Sequence, residues 1–507
     1  MESLSVLGAT FLTMFEPANA LILVVSVFLG IIAGVLPGLS ATMAIALLTG
    51  LTYKFNTSQA ILSLVGVYVG AISGGSQTAI LMNIPGTASS AATALDGHPI
   101  GRRGEAGLGI FVATSSSLVG TLVSMLALIL LTPTLSTFAL NFGSYEFFLL
   151  ALFGVLICGQ LTSGNAPVKG WISGILGLLV AQIGLDGMNA YPRFSYGNIY
   201  LMSGISLIPV MIGLFGFPEI MQGLISYTAN PPVRSSPLSI VRGLGILVRN
   251  KLNLLRSSII GVMVGIIPGV GEDTGGWLSY WAARSASKDK TSFGKGNIEG
   301  VIASESGSNA CIGGSMIPVL SLAIPGSAPT AVLLAAMWLH NLRPGPLLMN
   351  ESPELIYQVG VYLACSAFMM WVLALGISKV TIRVLSIPSE LLMPAIYTIC
   401  IVGAFVIDNK NFDAYLMFIF GVFGVLLRSM NYPAAPFLLG IVLGPLTDNN
   451  LRRSLMLSDG SMEPFFTRPI SLAFVIVIAL LVAMQVPFVK RGLLRLLTRK
   501  RSAGQMM

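Results

Sequence analysis

The stretch from Ser304 to Ser327 reads SESGSNACIGGSMIPVLSLAIPGS, and it is apolar enough to lie in a bilayer although it carries an acid, an amide and a Pro-Gly pair. Glu305 and Asn309 are four residues apart, so a helix places both side chains on one face. Pro325 lacks a backbone N–H, so a helix that ends beside it leaves carbonyl groups unpaired. Interrupted helices persist in lipid only within protein or beside a cavity. This stretch is therefore predicted to form half of a binding site inside a membrane.

The composition of the whole chain agrees with a membrane location. Of the 507 residues, 54% are hydrophobic and only 9% are charged, and the mean hydropathy is +0.84, whereas about 25% of residues are charged in soluble domains. The chain is therefore predicted to be an all-α polytopic membrane protein embedded in the lipid bilayer. Several apolar runs are too short to cross alone, so the predicted architecture has about 11 or 12 transmembrane helices, including discontinuous helices and hairpins.

The net charge of +8 is concentrated in basic clusters outside the apolar runs. One cluster spans residues 234–256 and another lies in the tail 490–507. Basic loops tend to stay in the cytoplasm, so both segments are predicted to be cytoplasmic, and no nucleic-acid partner is predicted. The four cysteines are isolated within apolar runs and are interpreted as small buried hydrophobes rather than as metal ligands.

Short motifs recur in the same order in the two halves of the chain. Gly34-Val-Leu-Pro-Gly38 returns as Gly265-Ile-Ile-Pro-Gly269 at a shift of 231 residues (265 − 34), and Ile84-Pro-Gly returns as Ile324-Pro-Gly at a shift of 240 (324 − 84). Ordered recurrence of this kind indicates an internal duplication. Interrupted segments at matching positions of two repeats are typical of secondary transporters, whose binding site lies at the repeat interface.

A further pair of glycines predicts where the halves differ in length. Gly74-Gly75 matches Gly313-Gly314 at a shift of 239 (313 − 74), which exceeds the first shift by eight residues (239 − 231). The predicted insertion lies in the basic loop 284–297.

The repetition and the basic clusters together divide the chain. The linker and the tail are both basic, and one extra helix follows the second repeat, so each repeat crosses an odd number of times, which favours inverted repeats. The predicted segments are a first transmembrane repeat 1–228, a basic cytoplasmic linker 229–256, a second transmembrane repeat 257–455, a terminal transmembrane helix 456–489 and a basic cytoplasmic tail 490–507.

The two repeats differ in their acidic residues, which this alignment confines to the second half. A carboxylate in lipid is costly and usually marks an ion or proton path. Hard cations such as sodium take carboxylate, amide and carbonyl oxygens as ligands. Glu272, Asp273, Glu305 and Asn309 are therefore predicted to serve cation coupling or gating. The alternative for Glu272 and Asp273 is that they only cap a helix that follows Pro268-Gly269, where the helix dipole favours acids.

The substrate is predicted to be an anion with several carboxylates. Free N–H groups that follow the Pro-Gly pairs would converge on anionic oxygens, with hydroxyl groups beside them. The alternative for any single Gly, Ser or Thr is ordinary helix packing in a membrane. The predicted substrate-binding residues are Pro37, Gly38, Ser40, Thr42, Gly75, Ser76, Asn83, Pro85, Gly86, Thr87, Pro268, Gly269, Thr274, Gly314, Pro325, Gly326 and Ser327.

Five segments carry a resemblance to a known family. They read GVLPGLSATMAIALL, GGSQTAILMNIPGTASSAATALDGHP, IPGVGEDTGGWLSYWAARSA, FGKGNIEGVIASESGSNACIGGSMIPVLSLAIPGSAPTAVLL and YPAAPFLLGIVLGP. In this order they resemble the large permease subunit of tripartite tricarboxylate transporters, the TctA type, over nearly the whole chain.

The resemblance implies a multi-pass protein of the bacterial inner membrane that works with a small membrane subunit and a periplasmic substrate-binding protein. The implied activity is import of a carboxylate, with citrate as the default, in symport with sodium or protons. The implied fold is two related halves with elevator-like movement that gives alternating access. No cofactor is expected beyond the coupling ion, and no metal site beyond a possible sodium site.

Two other classes of function are compared with this one. A membrane-embedded hydrolase needs a nucleophile and a base, but the chain has only two histidines and neither GxSxG nor HExxH, so it is not predicted to be an enzyme. A stand-alone carboxylate transporter or an anion channel is the closer alternative. Interrupted helices with acids inside the membrane favour coupled transport, and a flux assay with and without an ion gradient separates the two.

Overall fold

The computed structural model describes residues 2–36, 39–164, 166–225, 237–378, 389–408 and 410–485. The predicted site residues Pro37 and Gly38, residues 229–236 of the predicted linker and the predicted tail lie outside these ranges. Within them the chain is mostly helical, with a single two-stranded antiparallel ladder. The prediction of an all-α polytopic membrane protein is confirmed.

The helices and strands follow one another along the chain in this order. Up to residue 225 they are α1 Glu2–Thr13, α2 Pro17–Val35, α3 Ala41–Leu51, α4 Thr57–Met82, α5 Ala91–Ile100, α6 Ala106–Ala139, α7 Ser144–Thr162, α8 Pro167–Val180, β1 Gly184–Leu185, β2 Pro192–Arg193, α9 Ile199–Met202, α10 Leu207–Met211 and α11 Phe217–Ile225. From residue 240 they are α12 Ile240–Arg249, α13 Lys251–Ile266, α14 Gly271–Ala286, α15 Ile298–Leu322, α16 Ala328–Leu339, α17 Leu348–Glu351, α18 Glu354–Gly376, α19 Ser389–Asp408, α20 Asn411–Ser429, α21 Ala434–Leu457, α22 Pro464–Thr467 and α23 Pro469–Ala483.

Many of these helices have the length and polarity of membrane spans. Among the described residues, 6 helices are long and apolar enough to cross a membrane: α2, α4, the run Ala88–Ala139, α7, α18 and α20. Shorter apolar helices accompany them, namely α8, Leu207–Gln222, α16, Met393–Phe405 and α23. The short helices agree with the expectation that some segments are half-helices.

The described chain forms two compact units, and each draws on both halves of the sequence. The first unit comprises residues 1–140 and 205–434, and the second comprises 141–204 and 435–507. Every helix interruption that the sequence singled out belongs to the first unit. The candidate site is therefore built within that unit alone.

In the first unit, α4 and α15 are the buried helices around which the others pack. α4 is buried over nearly its whole length, as is α15 from Gly300 to Ser321. Both helices end on a residue in the left-handed conformation, Asn83 with φ 58° and Ala323 with φ 57°. The two residues are 240 positions apart (323 − 83), so the helices break at equivalent points.

Each interrupted helix crosses its neighbour through glycine. A methyl group added at Gly34 would lie 2.1 Å from the carbonyl oxygen of Ala71, and one added at Gly265 would lie 2.8 Å from that of Cys311. The two contacts are equivalent, because residues 34 and 265 are related by the first shift of the repeat, 231, and residues 71 and 311 by the second, 240. Only glycine lets two backbones approach this closely. The duplication seen in the sequence is therefore also a duplication of backbone contacts.

The contacts also correct the predicted register of the glycine pair. Gly74 faces the carbonyl oxygen of Ile31 and Gly314 faces that of Val262, so Gly74 corresponds to Gly314 at a shift of 240 (314 − 74). The predicted shift of 239 is wrong by one residue, because a run of two glycines in each half allowed either alignment. The insertion is thus nine residues long (240 − 231), and it lies in the loop between α14 and α15.

The second unit is a smaller bundle of α7, α8, α21 and α23. A methyl group at Gly177 would lie 2.0 Å from the carbonyl oxygen of Phe437, so α8 and α21 are also in close backbone contact. Outside the helices, Arg193 on β2 bonds Asp186 at 2.8 Å and Asp448 at 3.0 Å. Arg452 bonds the other oxygen of Asp186 at 2.9 Å. These ion pairs tie the turn that contains the two strands to α21.

Candidate functional site

The carboxylate of Glu305 lies at the centre of the first unit. Its helix, α15, packs against α5 and α6, and each neighbour supplies a hydroxyl group. Thr93 donates to Oε1 at 2.5 Å and Ser117 donates to Oε2 at 2.9 Å. Glu305 is only 1% exposed. Both carboxylate oxygens are thus held by neutral donors in a site closed to bulk water.

Asn309 lies one turn further along the same face of α15, as its spacing predicts. Its Oδ1 accepts a hydrogen bond from Ser73 on α4 at 2.7 Å, and its Nδ2 donates to the carbonyl oxygen of Glu305 at 3.0 Å. The amide is fully buried. Asn309 therefore connects the two central helices beside the carboxylate.

Glu272 is another buried carboxylate of this unit, and it lies in the first turn of α14. The hydroxyl group of Tyr68 on α4 donates to its Oε1. The same hydroxyl lies 3.0 Å from Oγ of Ser327 and 3.2 Å from Oγ of Ser315. Tyr68 thus joins the start of α14 to the interruption between α15 and α16.

Neither buried carboxylate has an ion-pair partner within the described ranges, where the ion pairs involve other acids. A buried charge that lacks a counter-charge is expensive, so it is stable when it carries a proton or binds a cation. Glu272 and Glu305 are therefore suited to bind and release a positive charge.

Asp273 differs from its neighbour although the sequence grouped the two. Its side chain is exposed on the outer face of α14, whereas that of Glu272 is buried. Adjacent positions on a helix point about 100° apart, so the two side chains leave α14 in different directions. The structure does not bring Asp273 together with Glu305 and Asn309.

The two interruptions of the second half meet at their backbones. The N–H of Gly269 donates to the carbonyl oxygen of Pro325 at 3.3 Å, and Gly326 lies against the carbonyl oxygen of Gly265. In the first half, Gly86 lies in the equivalent way against the carbonyl oxygen of Gly34. The two predicted Pro-Gly pairs of the second half therefore come together in space.

Several of the hydroxyl groups predicted to bind substrate are helix caps. Oγ of Ser40 accepts from the N–H of Met43 at 3.2 Å, and Oγ of Ser327 accepts from the N–H of Thr330 at 3.4 Å. The N–H of Ser327 in turn donates to Oγ1 of Thr330 at 2.9 Å, and the N–H of Thr87 donates to Oγ of Ser90 at 3.4 Å at the matching position of the first half. α14 differs from these helices, because no side chain at its N-cap accepts a hydrogen bond. Glu272 and Asp273 lie in its first turn, where the helix dipole favours negative charge.

The other predicted substrate residues lie in several surroundings. Asn83 and Pro85 are exposed, and Asn83 supplies the left-handed end of α4. Thr274 donates to the carbonyl oxygen of Val270 at 3.2 Å, within its own helix. Thr42, Gly75, Ser76, Pro268 and Gly314 are buried.

Several residues that bond the buried carboxylates or Asn309 were not predicted. Tyr68, Ser73, Thr93 and Ser117 have no motif in common, because their role depends on which helices pack together. Asp96 was also missed, and it is a fully buried acid in the first half. The prediction that acids are confined to the second half is therefore wrong.

Asp96 holds the inserted loop against α5. Its Oδ1 accepts from the N–H groups of Gly296 and Asn297 at 2.8 Å each, and its Oδ2 accepts from the hydroxyl of Tyr280 at 2.9 Å. These bonds fix the start of α15, the helix that carries Glu305. Asp96 is thus a positioning residue for the candidate site.

Interrupted helices that cross through glycine, with carboxylates between them that form no ion pair within the described ranges, are typical of membrane transporters. The family model of the tripartite tricarboxylate transporter TctA family matches residues 20–439. The chain belongs to this family, and it is the large subunit of such a transporter. The family is one of transporters, so the prediction that the chain is not an enzyme is confirmed.

Two relatives come from Agrobacterium vitis. An uncharacterized 52.8 kDa protein in the TAR-I ttuC' 3' region is 34% identical over 472 residues, which cover 93% of this chain and 94% of that protein. An uncharacterized protein in the TAR-II ttuC' 3' region is 34% identical over 211 residues, which cover 42% of this chain and 87% of that protein. No solved structure matches the chain. Membership of the family implies that the chain works in a tripartite system.

Proposed function

We propose that this subunit imports tricarboxylates or related carboxylates by symport with sodium or protons, and that its two related halves give alternating access by an elevator-like movement. The observation that carries the proposal is the burial of Glu272 and Glu305 among hydroxyl donors, with no basic partner among the described residues. Buried carboxylates of this kind in a membrane protein usually mark an ion or proton path.

The anionic substrate is assigned to the helix interruptions. The uncapped N-terminus of α14, near Thr274 and Gly269, supplies N–H groups for a carboxylate, and Ser327 and Thr87 flank the other interruptions. The amide of Asn309 and the carboxylates of Glu272 and Glu305 are assigned to the coupling ion. Asp273 is proposed as a gating residue, because its exposed side chain lies beside the uncapped N-terminus.

The proposed partners are a small membrane subunit and a periplasmic binding protein that delivers the carboxylate. The proposed location is the inner membrane of a bacterium, with the C-terminus in the cytoplasm. The basic residues of α12 and of the tail support this orientation, because basic segments tend to remain inside.

Uptake of radiolabelled citrate and other di- and tricarboxylates into proteoliposomes tests the proposal. The vesicles contain the full chain, its small partner and the binding protein, and sodium and pH gradients are imposed separately. Glu305→Gln keeps the shape of the side chain but removes its charge. We expect uptake to follow one of the two gradients and to fall at least about 100-fold in Glu305→Gln, since charge-coupled steps depend strongly on such a group.

The matched control is Glu351→Gln, which removes an exposed carboxylate from the same unit. Its uptake is expected to equal that of the wild type. Uptake that ignores both gradients would favour a channel, and gradient-driven uptake that is unchanged in Glu305→Gln would make that carboxylate structural.

A further inference from the structure

A cavity of about 670 Å³ lies in the first unit, away from the buried carboxylates. It is bounded by α12, the start of α13, the end of α14 and the loop before α15. Its charged lining comprises Arg242, Arg249, Arg256, Lys288, Glu105, Asp289 and Glu299. Four of these groups are basic and three are acidic, so the lining carries a net positive charge, which favours an anion.

Three of these arginines form a row along one edge of the α12–α13 segment. Arg242, Arg249 and Arg256 are seven residues apart, which is close to two turns of a helix. This spacing places Arg242 and Arg249 on one side of α12, and Arg256 follows on α13 beyond the non-helical Asn250, so that all three line the cavity. Lys288 also lines it, from the loop that follows α14.

The cationic groups in this cavity are only partly neutralised. Arg242 pairs with Glu105, and both side chains are exposed. Arg256 donates to Oδ1 of Asn253 at 2.5 Å through one nitrogen, but its Nε is buried with no hydrogen-bond partner in the described chain. Arg249 and Lys288 are exposed and belong to none of the ion pairs found in the described ranges. The cavity thus has donors available for a bound anion.

An apolar stripe runs directly beside the arginines. Its exposed side chains recur at helical spacing on α12 and continue on α13. They are Val241, Leu244, Val248, Leu252, Leu255, Ile259 and Met263. The opposite face of α12 is covered, because Gly243 lies against the ring of Phe111 and Leu247 is buried in the same cluster. The exposed stripe is therefore the outer surface of this segment.

A helix with an apolar outer stripe and a basic edge lies at a membrane interface. Cationic pockets between helices at that depth suit the phosphate of a lipid headgroup. We propose that the cavity binds the phosphate headgroup of an anionic phospholipid, whose acyl chains lie along the apolar stripe. The basic row lies next to the apolar stripe, and only an amphiphile can contact both with its headgroup and its acyl chains. This arrangement therefore favours a phospholipid over a soluble anion.

Lipid binding is measured with the full chain in micelles of a neutral detergent. Short-chain phosphatidylglycerol is titrated, with phosphatidylcholine of equal chain length as the comparison, and the shift in melting temperature gives the apparent Kd. We expect phosphatidylglycerol to bind at least roughly tenfold more tightly than phosphatidylcholine, since each basic residue near the surface contributes appreciably to anionic lipid binding.

Variants of the residues that line the cavity test whether the lipid binds there. Arg249→Gln combined with Lys288→Gln is expected to remove the preference for phosphatidylglycerol, whereas Arg249→Lys retains it. Neither residue is buried, so the chain should fold normally. Arg343→Gln, which changes an exposed arginine outside the cavity, is the matched control and should bind like the wild type.

Two soluble probes test the choice of a lipid as the occupant. Inorganic phosphate and glycerophosphoglycerol are added at the concentration that saturates with phosphatidylglycerol. Competition by either of them at that concentration would overturn the proposal in favour of a soluble anion. Equal affinity for the two lipids, or full retention of the preference in the double variant, would overturn it as well. All these readouts are binding measurements, so they do not depend on the transport activity proposed above.

Discussion

Tyr68 is the residue on which the buried carboxylate of Glu272 depends. Its single hydroxyl group lies between Glu272, Ser315 and Ser327, and therefore between two interrupted helices. A phenylalanine has nearly the same shape but lacks the hydroxyl group, so it cannot make these hydrogen bonds. A buried polar group that loses its partner costs about 1–3 kcal/mol.

Tyr68→Phe is therefore expected to lower the melting temperature and to reduce gradient-driven uptake. The reason is that Glu272 loses a donor while the ring still fills its space. Thermal unfolding of the detergent-solubilised chain and the proteoliposome assay measure the two effects. Tyr53→Phe serves as the control, because Tyr53 is 60% exposed. A Tyr68→Phe protein that melts and transports like the wild type would remove Tyr68 from the site.

Sequence reasoning could find Glu305 and Asn309 at this scale, because helical spacing alone places them on one face. It could not find Thr93 or Ser117, which are brought to Glu305 by the packing of α5 and α6. It also could not separate Glu272 from Asp273, since neighbouring acids look alike until the helix phase is known. Spacing within one helix is encoded locally, whereas the partner of a side chain is not.

At the scale of elements, the glycine crossings hold each interrupted pair together. A methyl group at Gly86 would lie 2.0 Å from the carbonyl oxygen of Gly34, and one at Gly326 would lie 2.3 Å from that of Gly265. The obstacle in both cases is backbone, which cannot turn aside as a side chain could. Overpacking of this kind typically costs about 1–3 kcal/mol.

Gly86→Ala and Gly326→Ala are both expected to lower the free energy of unfolding by that amount. Their effects should be similar, because the two contacts are equivalent. Gly245→Ala is the control, since nothing lies within 4 Å of its added methyl group, and alanine favours a helix over glycine by about 1 kcal/mol. Urea or thermal unfolding in micelles measures all three. A stable Gly326→Ala protein would show that the helices at this crossing can separate.

The helix interruptions themselves could be predicted because proline and glycine act locally. The register of the duplication could not be fixed from Gly74-Gly75, since adjacent glycines permit two alignments. The register became clear only from the carbonyl groups that these glycines face in the structure. The capping role of Ser40 and Ser327 was similarly hidden, because a serine before a helix looks the same whether it binds substrate or backbone.

At the scale of the whole molecule, the stability of the second unit depends on the charged groups around Asp186, in the turn that contains the two strands. The backbone N–H of Met188, together with Arg193 and Arg452, lowers the pKa of Asp186 below its usual value of 3.8. A carboxyl group whose pKa is lower in the folded state stabilises that state above the unfolded value, and the stabilisation is lost as the pH falls through the folded value.

Asp186→Asn is accordingly expected to melt at a lower temperature than the wild type at pH 7. The difference should shrink as the pH falls below 3.8, because the wild-type carboxyl group then becomes neutral too. Melting curves of the purified chain between pH 7 and pH 3 measure this trend. Glu463→Gln, an exposed acid of the same unit, should show no such trend. A constant difference across the range would mean that the charge of Asp186 is not what stabilises the turn.

The two halves share glycine residues at matching positions but differ at the positions of the acids. Where backbone meets backbone, as at Gly34 and Gly265, any larger residue collides, so both copies of the duplicated segment have kept the same residue. Where Glu272 stands, the first copy has Ala41, and no collision opposed that divergence. Steric contact therefore restricts the glycine positions of both copies to one residue type, whereas the position of Glu272 accepts a different residue in the first copy.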